Sequence, residues 1–163
     1  MISMRHLFFL LLGIVLVCLL SGCRRLQRVA YYHSQHLDPA GWRCDRPIVF
    51  LADSATAPGL ERGQYHLYMV MRYRESYPYS KLYLRLEFTS LARGVRTRDI
   101  CVDMEHPASN PGAKVKLNKG LVELTIPLGY DTVDEGWTLG VQQRMTLPPV
   151  TGINDIGIKM VKE

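Results

Sequence analysis

Two hydrophobic patterns divide the chain. Leu7 to Leu20 is an unbroken apolar run behind Arg5 and His6. Its 14 residues fall short of the roughly 20 that a membrane-crossing helix needs, and a basic start followed by a run of this length reads as a secretory signal. From Arg24 to about Gly41 no period is visible. Period two then takes over: Tyr65, Leu67, Met69, Met71 and Tyr73 alternate with His66, Tyr68, Val70, Arg72 and Arg74, and Leu82, Leu84, Leu86 and Phe88 alternate with Tyr83, Arg85 and Glu87. Each run is a strand with one buried and one wetter face. Ser76 to Ser80 separates them, and Pro78, which cannot donate to a ladder, fits a turn there, so the two runs are expected to be antiparallel neighbours.

Further strands are predicted at Ile48–Leu51, Asp99–Met104, Leu121–Leu128, Trp137–Leu147 and Ile156–Val161, bounded by Pro58 and Gly59, Gly94, Pro107 to Gly112, Gly129, Pro148 and Pro149, and Gly152. About seven to eight short strands and no amphipathic helix after the signal predict an all-β fold, an antiparallel β-sandwich with a small barrel as the alternative. The expected organisation is a signal helix over 1–22, a tether over 23–41 and a sandwich domain over 42–163. Without the signal, 141 residues remain, enough for one domain with one core.

Leu20, Ser21, Gly22 and Cys23 resemble the lipobox of bacterial lipoproteins, in which the cysteine is diacylated on sulfur, becomes the new N-terminus and is acylated again. Covalent lipid on Cys23 would hold the chain to a membrane, and no other cofactor is expected. Of 20 Lys and Arg only Arg5 leaves with the signal, so 19 face 15 acids. Arg24, Arg25 and Arg28 lie beside the lipid, where each can add about 1 kcal/mol of attraction to anionic headgroups, or they form a solvated linker. Arg93, Arg96 and Arg98 form a second group. The first cluster is read as a membrane-surface feature rather than nucleic-acid binding. Arg24 stands where enteric lipoproteins retained in the inner membrane resemble one another in carrying aspartate. The first acid is Asp38, too far along for the acidic cluster that resembles a surface-export signal in the Bacteroidetes. The expected address is the outer membrane, on its periplasmic face.

Cys18 leaves with the signal, so Cys44 and Cys101 remain as an even pair in an oxidising compartment. A bridge would close a loop of more than fifty residues and stabilise by roughly 4 kcal/mol on the chain-entropy model; alternatively both are ordinary small strand residues. Candidates for catalysis are few. His33 and His36 have no third ligand at a fitting spacing and read as a solvated pair. Asp131, Asp134 and Glu135 lack the calcium-loop spacing and read as an exposed acidic turn. No phosphate loop or nucleophile elbow is present, so neither an enzyme nor a metal site is expected. The aromatic residues carry more information. Tyr68, Tyr77, Tyr79 and Tyr83, with Arg72, form a candidate partner surface, since exposed tyrosines stack on sugars or anchor a protein; they serve equally as edge residues shielding a small core. Arg72, Arg74 and Arg85 are expected on one wet face, pairing with Glu75 and Glu87 or with a partner's acids.

Trp42, the strand ending in Arg72, and Tyr77, Pro78, Tyr79, Ser80, Lys81, Leu82 and Tyr83, followed by Arg144, Met145 and Leu147 and by Gly152 to Ile158, resemble the GldH-type gliding-motility lipoproteins of the Bacteroidetes. With the lipobox, the resemblance spans nearly the whole chain. It departs at Asp99–Ile100, where an Asp-Thr pair is expected, and over Asn110 to Gly120. The resemblance implies a non-enzymatic accessory lipoprotein of the outer membrane that works through envelope protein partners. The alternative from the tyrosines is a glycan-binding envelope module.

Overall fold

The computed structural model describes residues 29–53, 56–146 and 149–162. The signal segment and Cys23 lie outside them. Nine strands follow in chain order: β1 Val29–His36, β2 Ile48–Leu51, β3 Gly63–Arg74, β4 Lys81–Ser90, β5 Gly94–Asp103, β6 Lys114–Asn118, β7 Leu121–Val133, β8 Thr138–Gln143 and β9 Ile153–Lys162. They form two antiparallel sheets, β1-β9-β3-β7-β6 and β2-β8-β4-β5, stacked as the expected sandwich.

The alternation fixes the core. Tyr65, Leu67, Met69, Met71 and Tyr73 of β3 point inward and are buried, as are Leu82, Leu84, Leu86 and Phe88 of β4. Ile156, Ile158 and Met160 of β9, Leu124 of β7, Leu139 and Val141 of β8, and Trp42 and Trp137 complete one cluster. The two strongest runs are not neighbours, however. β3 pairs with β7 and β9, while β4 pairs with β5 and β8. Residues 75–80 carry the chain from one sheet to the other, because Arg74 N–H donates to Gly152 O and Glu75 N–H to Gly120 O, which ends β3 at its own sheet. A hairpin and an arch bury the same stripes, so periodicity alone does not separate them.

Three other expectations change. Val29–His36, expected as tether, is strand β1, paired with β9 from Val29↔Val161 to His36↔Asp155. Lys114–Asn118, for which no strand was predicted, is β6. Both are sheet edges whose residues are exposed or half-buried, so backbone pairing makes them strands with little help from hydrophobic patterning. Cys44 and Cys101 are free and exposed. Cys44 O accepts from Gln142 of β8, whereas Cys101 lies on β5 with β4 between. Two strand spacings, about 9.6 Å, exceed the reach of a disulfide.

Gly157 is a closely approached strand position: a Cβ there would lie 2.9 Å from His33 O and 3.3 Å from the Tyr32 ring. Gly152 sits at φ +88° in the turn that receives Arg74. Strand pairing also gives the domain two distinct ends. Val29, Lys162, Gly63, Val133 and Gly94 mark the end where the chain enters, and the 75–80 arch, Gly152 and Gly120 mark the far end.

Candidate interaction surfaces

The far end holds a cleft of about 600 Å³ whose lining includes His36, Arg74, Ser76, Pro78, Gly152 and Asp155. It is assembled from three stretches of the chain, 36–39, 74–78 and 151–155. Tyr77 packs edge-on against Tyr73 and Tyr79, at 5.8 and 5.6 Å between ring centres, and Gly152 leaves room for its ring: a Cβ there would come within 3.3 Å. On the cleft wall, Asp155 is buried and accepts from Arg72 Nε at 2.8 Å, with His36 Nδ1 3.9 Å away. The register sets this pair, since Arg72 of β3 lies opposite Asp155 of β9, which lies opposite His36 of β1. The hydrogen bond to Asp155 pushes the Arg72 pKa up and holds the guanidinium charged.

The structure disperses the expected partner surface. Arg72 and Tyr68 lie on the outer face of the five-stranded sheet, two pleats apart. Tyr77 and Tyr79 sit in the arch, with Tyr77 half-buried against the core and its hydroxyl enclosed without a hydrogen-bond partner. Tyr83, exposed, lies on the outer face of the other sheet. The expected sharing of one wet face by Arg72, Arg74 and Arg85 is likewise corrected, because β3 and β4 belong to different sheets. Arg72 pairs with Asp155, and Arg85 holds Asp99 of β5 through two bonds of 2.8 and 2.9 Å.

A different aromatic band does assemble, around Tyr68. Its hydroxyl is 3.0 Å from His66 Nδ1, the Lys159 ammonium lies 4.7 Å from its ring centre, and His66 stacks on Tyr130 at 4.5 Å. Tyr130 and Tyr32 are exposed, and Tyr32 leans over Gly157. His66 and Tyr68 were adjacent wet-face positions in the alternation. Tyr130 was hidden by a bulge in β7, where Leu67 opposes Gly129 and Tyr68 opposes Pro127.

On the open side of the sandwich, Arg96 and Arg98 reach from β5 across to β7. Both guanidinium groups lie 5.7 Å from the Phe88 ring centre. Arg96 Nη2 donates to both carboxylate oxygens of Asp131 at 2.8 Å, and Arg98 donates to Leu128 O. Asp131 also accepts from the buried Trp137 indole at 3.0 Å and from Thr132 N–H at 2.9 Å, with Arg93 3.5 Å away. The expected exposed acidic turn is therefore only half present: Asp131 is 3 % exposed, while Asp134 accepts from Ala92 and Gly136 N–H and Glu135 pairs with Arg62. Backbone donors hold the Asp134 carboxyl below its ordinary range against the burial that raises it. Among the described residues no group of three His, Cys, Asp or Glu is placed to hold a metal, and no helix is long and apolar enough to cross a membrane.

The family model for GldH lipoproteins matches residues 29–160, and the chain belongs to that family. The match starts at the first residue of β1 and ends within β9. No curated protein sequence matches the chain.

Proposed function

We propose that this member of the GldH lipoprotein family is a lipid-anchored, non-catalytic interaction subunit of the outer membrane, standing on its periplasmic face and serving in gliding-motility assembly where the organism glides. One observation carries the reading: β1 enters the five-stranded sheet at Val29, six residue steps after Cys23. Six steps of extended chain span at most about 20 Å. Lipid on Cys23 would thus keep the entry end of the sandwich near the headgroups and present the far-end cleft and both outer faces to envelope proteins. The family assignment supports a lipoprotein, and the placement of Arg24 and Asp38 supports the address.

The test joins fractionation to partner capture. Cys23→Ala is expected to move the protein out of the membrane fraction with the sandwich still folded, and to abolish both its role and its cross-linking to envelope partners in cells. A soluble variant with full function would contradict the proposal.

A second reading, a glycan-binding module, draws on the band of Tyr32, Tyr68, His66 and Tyr130 with Lys159, because aromatic faces beside a cation suit sugar rings. Glycan arrays should then show binding that fails on Tyr130→Ala and Tyr68→Ala. Arrays without signal would remove this reading.

A further inference from the structure

We infer that the free edge of β5 is a strand-addition site for an extended segment of a protein partner carrying an acidic and an apolar side chain on one face. The inference rests on the interaction reading above and names the surface through which it would act.

An unpaired edge is a template for another chain, and folded proteins usually blunt such edges. Three of the four edges here are short, capped or bulged; β5 carries charge too, in Arg96, Arg98 and Asp99, but keeps a long, regular edge. β2 has four residues, and its outward acceptors are occupied: Gln35 Nε2 donates to Val49 O at 2.6 Å and Thr56 Oγ1 to Leu51 O at 2.9 Å. β6 has five residues and carries Lys114 and Lys116. β1 is broken by a bulge between Val29 and Tyr31. β5 has ten residues in unbroken register with β4.

The parity of β5 is fixed at its end. Asp103 N–H and C=O both bond the Asn110 side chain, at 2.8 Å each, while Met104 N–H turns the other way to Ser80 O. Asp103 therefore points away from β4, and so do Cys101, Asp99, Thr97 and Val95 at every second position. Asn110 imitates a partner strand for one residue and goes no further. Among the described residues nothing pairs with the outward backbone groups of those four positions.

The chemistry beside this edge selects the occupant. A groove of about 300 Å³ runs along it, lined by Ile100, Ile126, Pro127 and Leu128 on its apolar side and by Arg98. Among the described residues Arg98 has a carbonyl and the Phe88 ring as partners and no carboxylate, whereas Arg96 beside it is matched by Asp131. A strand added to β5 would place alternate side chains over this groove. A carboxylate answers Arg98, and an apolar side chain two residues on fills the space by Ile100 and Leu128. A second copy of this chain fits less well, because it would add its own Arg96 and Arg98 to the same face.

The probe is a seven-residue peptide with threonine at odd positions and glutamate, valine and valine at even positions, compared with the same peptide carrying lysine for glutamate. Hydrogen exchange is read on the full lipidated chain in detergent. Saturating acidic peptide is expected to slow amide exchange at Thr97 and Asp99 at least about tenfold while the lysine peptide leaves it unchanged. Arg98→Glu should reverse that preference. Thr97→Pro should abolish protection without unfolding, because the Thr97 N–H is outside the β4 ladder; a matching thermal melt checks that it folds. No protection by either peptide, or no reversal in Arg98→Glu, overturns the inference. In cells, a photo-cross-linker at Thr97 should capture an envelope protein, with capture lost in Arg98→Glu, and one at Ser76 should not. Capture at Ser76 alone overturns the edge site but leaves the interaction reading standing; capture at neither overturns both. Cross-linked dimers of this chain at Thr97 overturn the choice of a foreign partner.

Discussion

Replacing Asp131 with alanine tests whether the arginine-bridged seam holds the two sheets together. The carboxylate is 3 % exposed and accepts from Arg96, Trp137 and Thr132. Its loss leaves the Trp137 indole N–H, in a residue 1 % exposed, without an acceptor, which costs about 1–3 kcal/mol. The Thr132 N–H bond adds about 1 kcal/mol. The Arg96 side chain is 37 % exposed and recovers water, so its share is held to about 1 kcal/mol rather than the larger value of a fully buried pair. The total is about 3–5 kcal/mol. With a urea m-value near 2 kcal/mol/M, the unfolding midpoint of the mature chain should fall by about 2 M, followed by tryptophan fluorescence. Trp137→Phe alone should cost about 1–2 kcal/mol, and the double mutant should show coupling of at least about 1 kcal/mol. A loss under about 1 kcal/mol for Asp131→Ala, or additive effects in the cycle, would refute the seam as a stabilising unit.

Tyr77→Phe should stabilise by about 1 kcal/mol, since the enclosed hydroxyl has no partner; a loss of stability in denaturant titrations would show a hidden partner. Burial pushes the Tyr77 pKa well above its usual 10 and raises Tyr31, Tyr65 and Tyr73 as well. The unfolded chain ionises near 10 while the folded one keeps these protons, so their contribution is full below about pH 10 and falls as pH rises beyond it. Urea midpoints measured from pH 8 to 11 should therefore drop at the alkaline end, less steeply in Tyr77→Phe. Gly157→Ala should loosen β1, because the new Cβ would meet His33 backbone oxygen at 2.9 Å; amide exchange at Gln35, whose backbone faces β9, reports it, and unchanged protection there would contradict the close packing. Because Cys44 and Cys101 are free and exposed, both should react with a thiol reagent in the native mature chain, and a reductant should leave its melting temperature unchanged.

The inward stripes of β3 and β4 were legible because each residue type agrees with its place: bulky apolar side chains at every second position and charge or tyrosine between them. Ile48–Leu51 was legible to the residue, since proline and turn residues flank a short apolar run. β1 was not, because Tyr31 is the one hydrophobic residue in it that packs on the main core, while His33, Ser34 and Gln35 interrupt any apolar period. β6 was hidden in the same way by Lys114 and Lys116. The site residues divide by whether they act locally. His66 lies one pleat from Tyr68 in sequence and could have been paired with it there. Asp131 with Arg96, and Asp155 with Arg72, join positions 35 and 83 apart, and only the order of strands decides such meetings. The even number of cysteines pointed to a bridge for compositional reasons, and strand order removes it.

The same strand order separates two roles for the anchor that Cys23→Ala cannot distinguish. Lipid can merely hold the protein in the membrane, or it can hold the sandwich at a set height beside its partner. Inserting fifteen Gly and Ser residues between Arg28 and Val29 leaves Cys23 and the first residue of β1 untouched, so lipidation and fold should both persist. A flexible Gly/Ser chain reaches about 5–6 Å times the square root of its length, so the inserted segment alone adds a mean reach of about 21 Å. β5 begins at the entry end of the domain with Gly94 and runs about 33 Å toward the far end, so a partner strand fixed in height would meet a shifted edge at lower effective concentration. If position matters, partner cross-linking from Thr97 should fall several-fold in the inserted variant while membrane fractionation stays normal. Undiminished cross-linking with the longer tether would refute a set height and leave the lipid as an attachment alone.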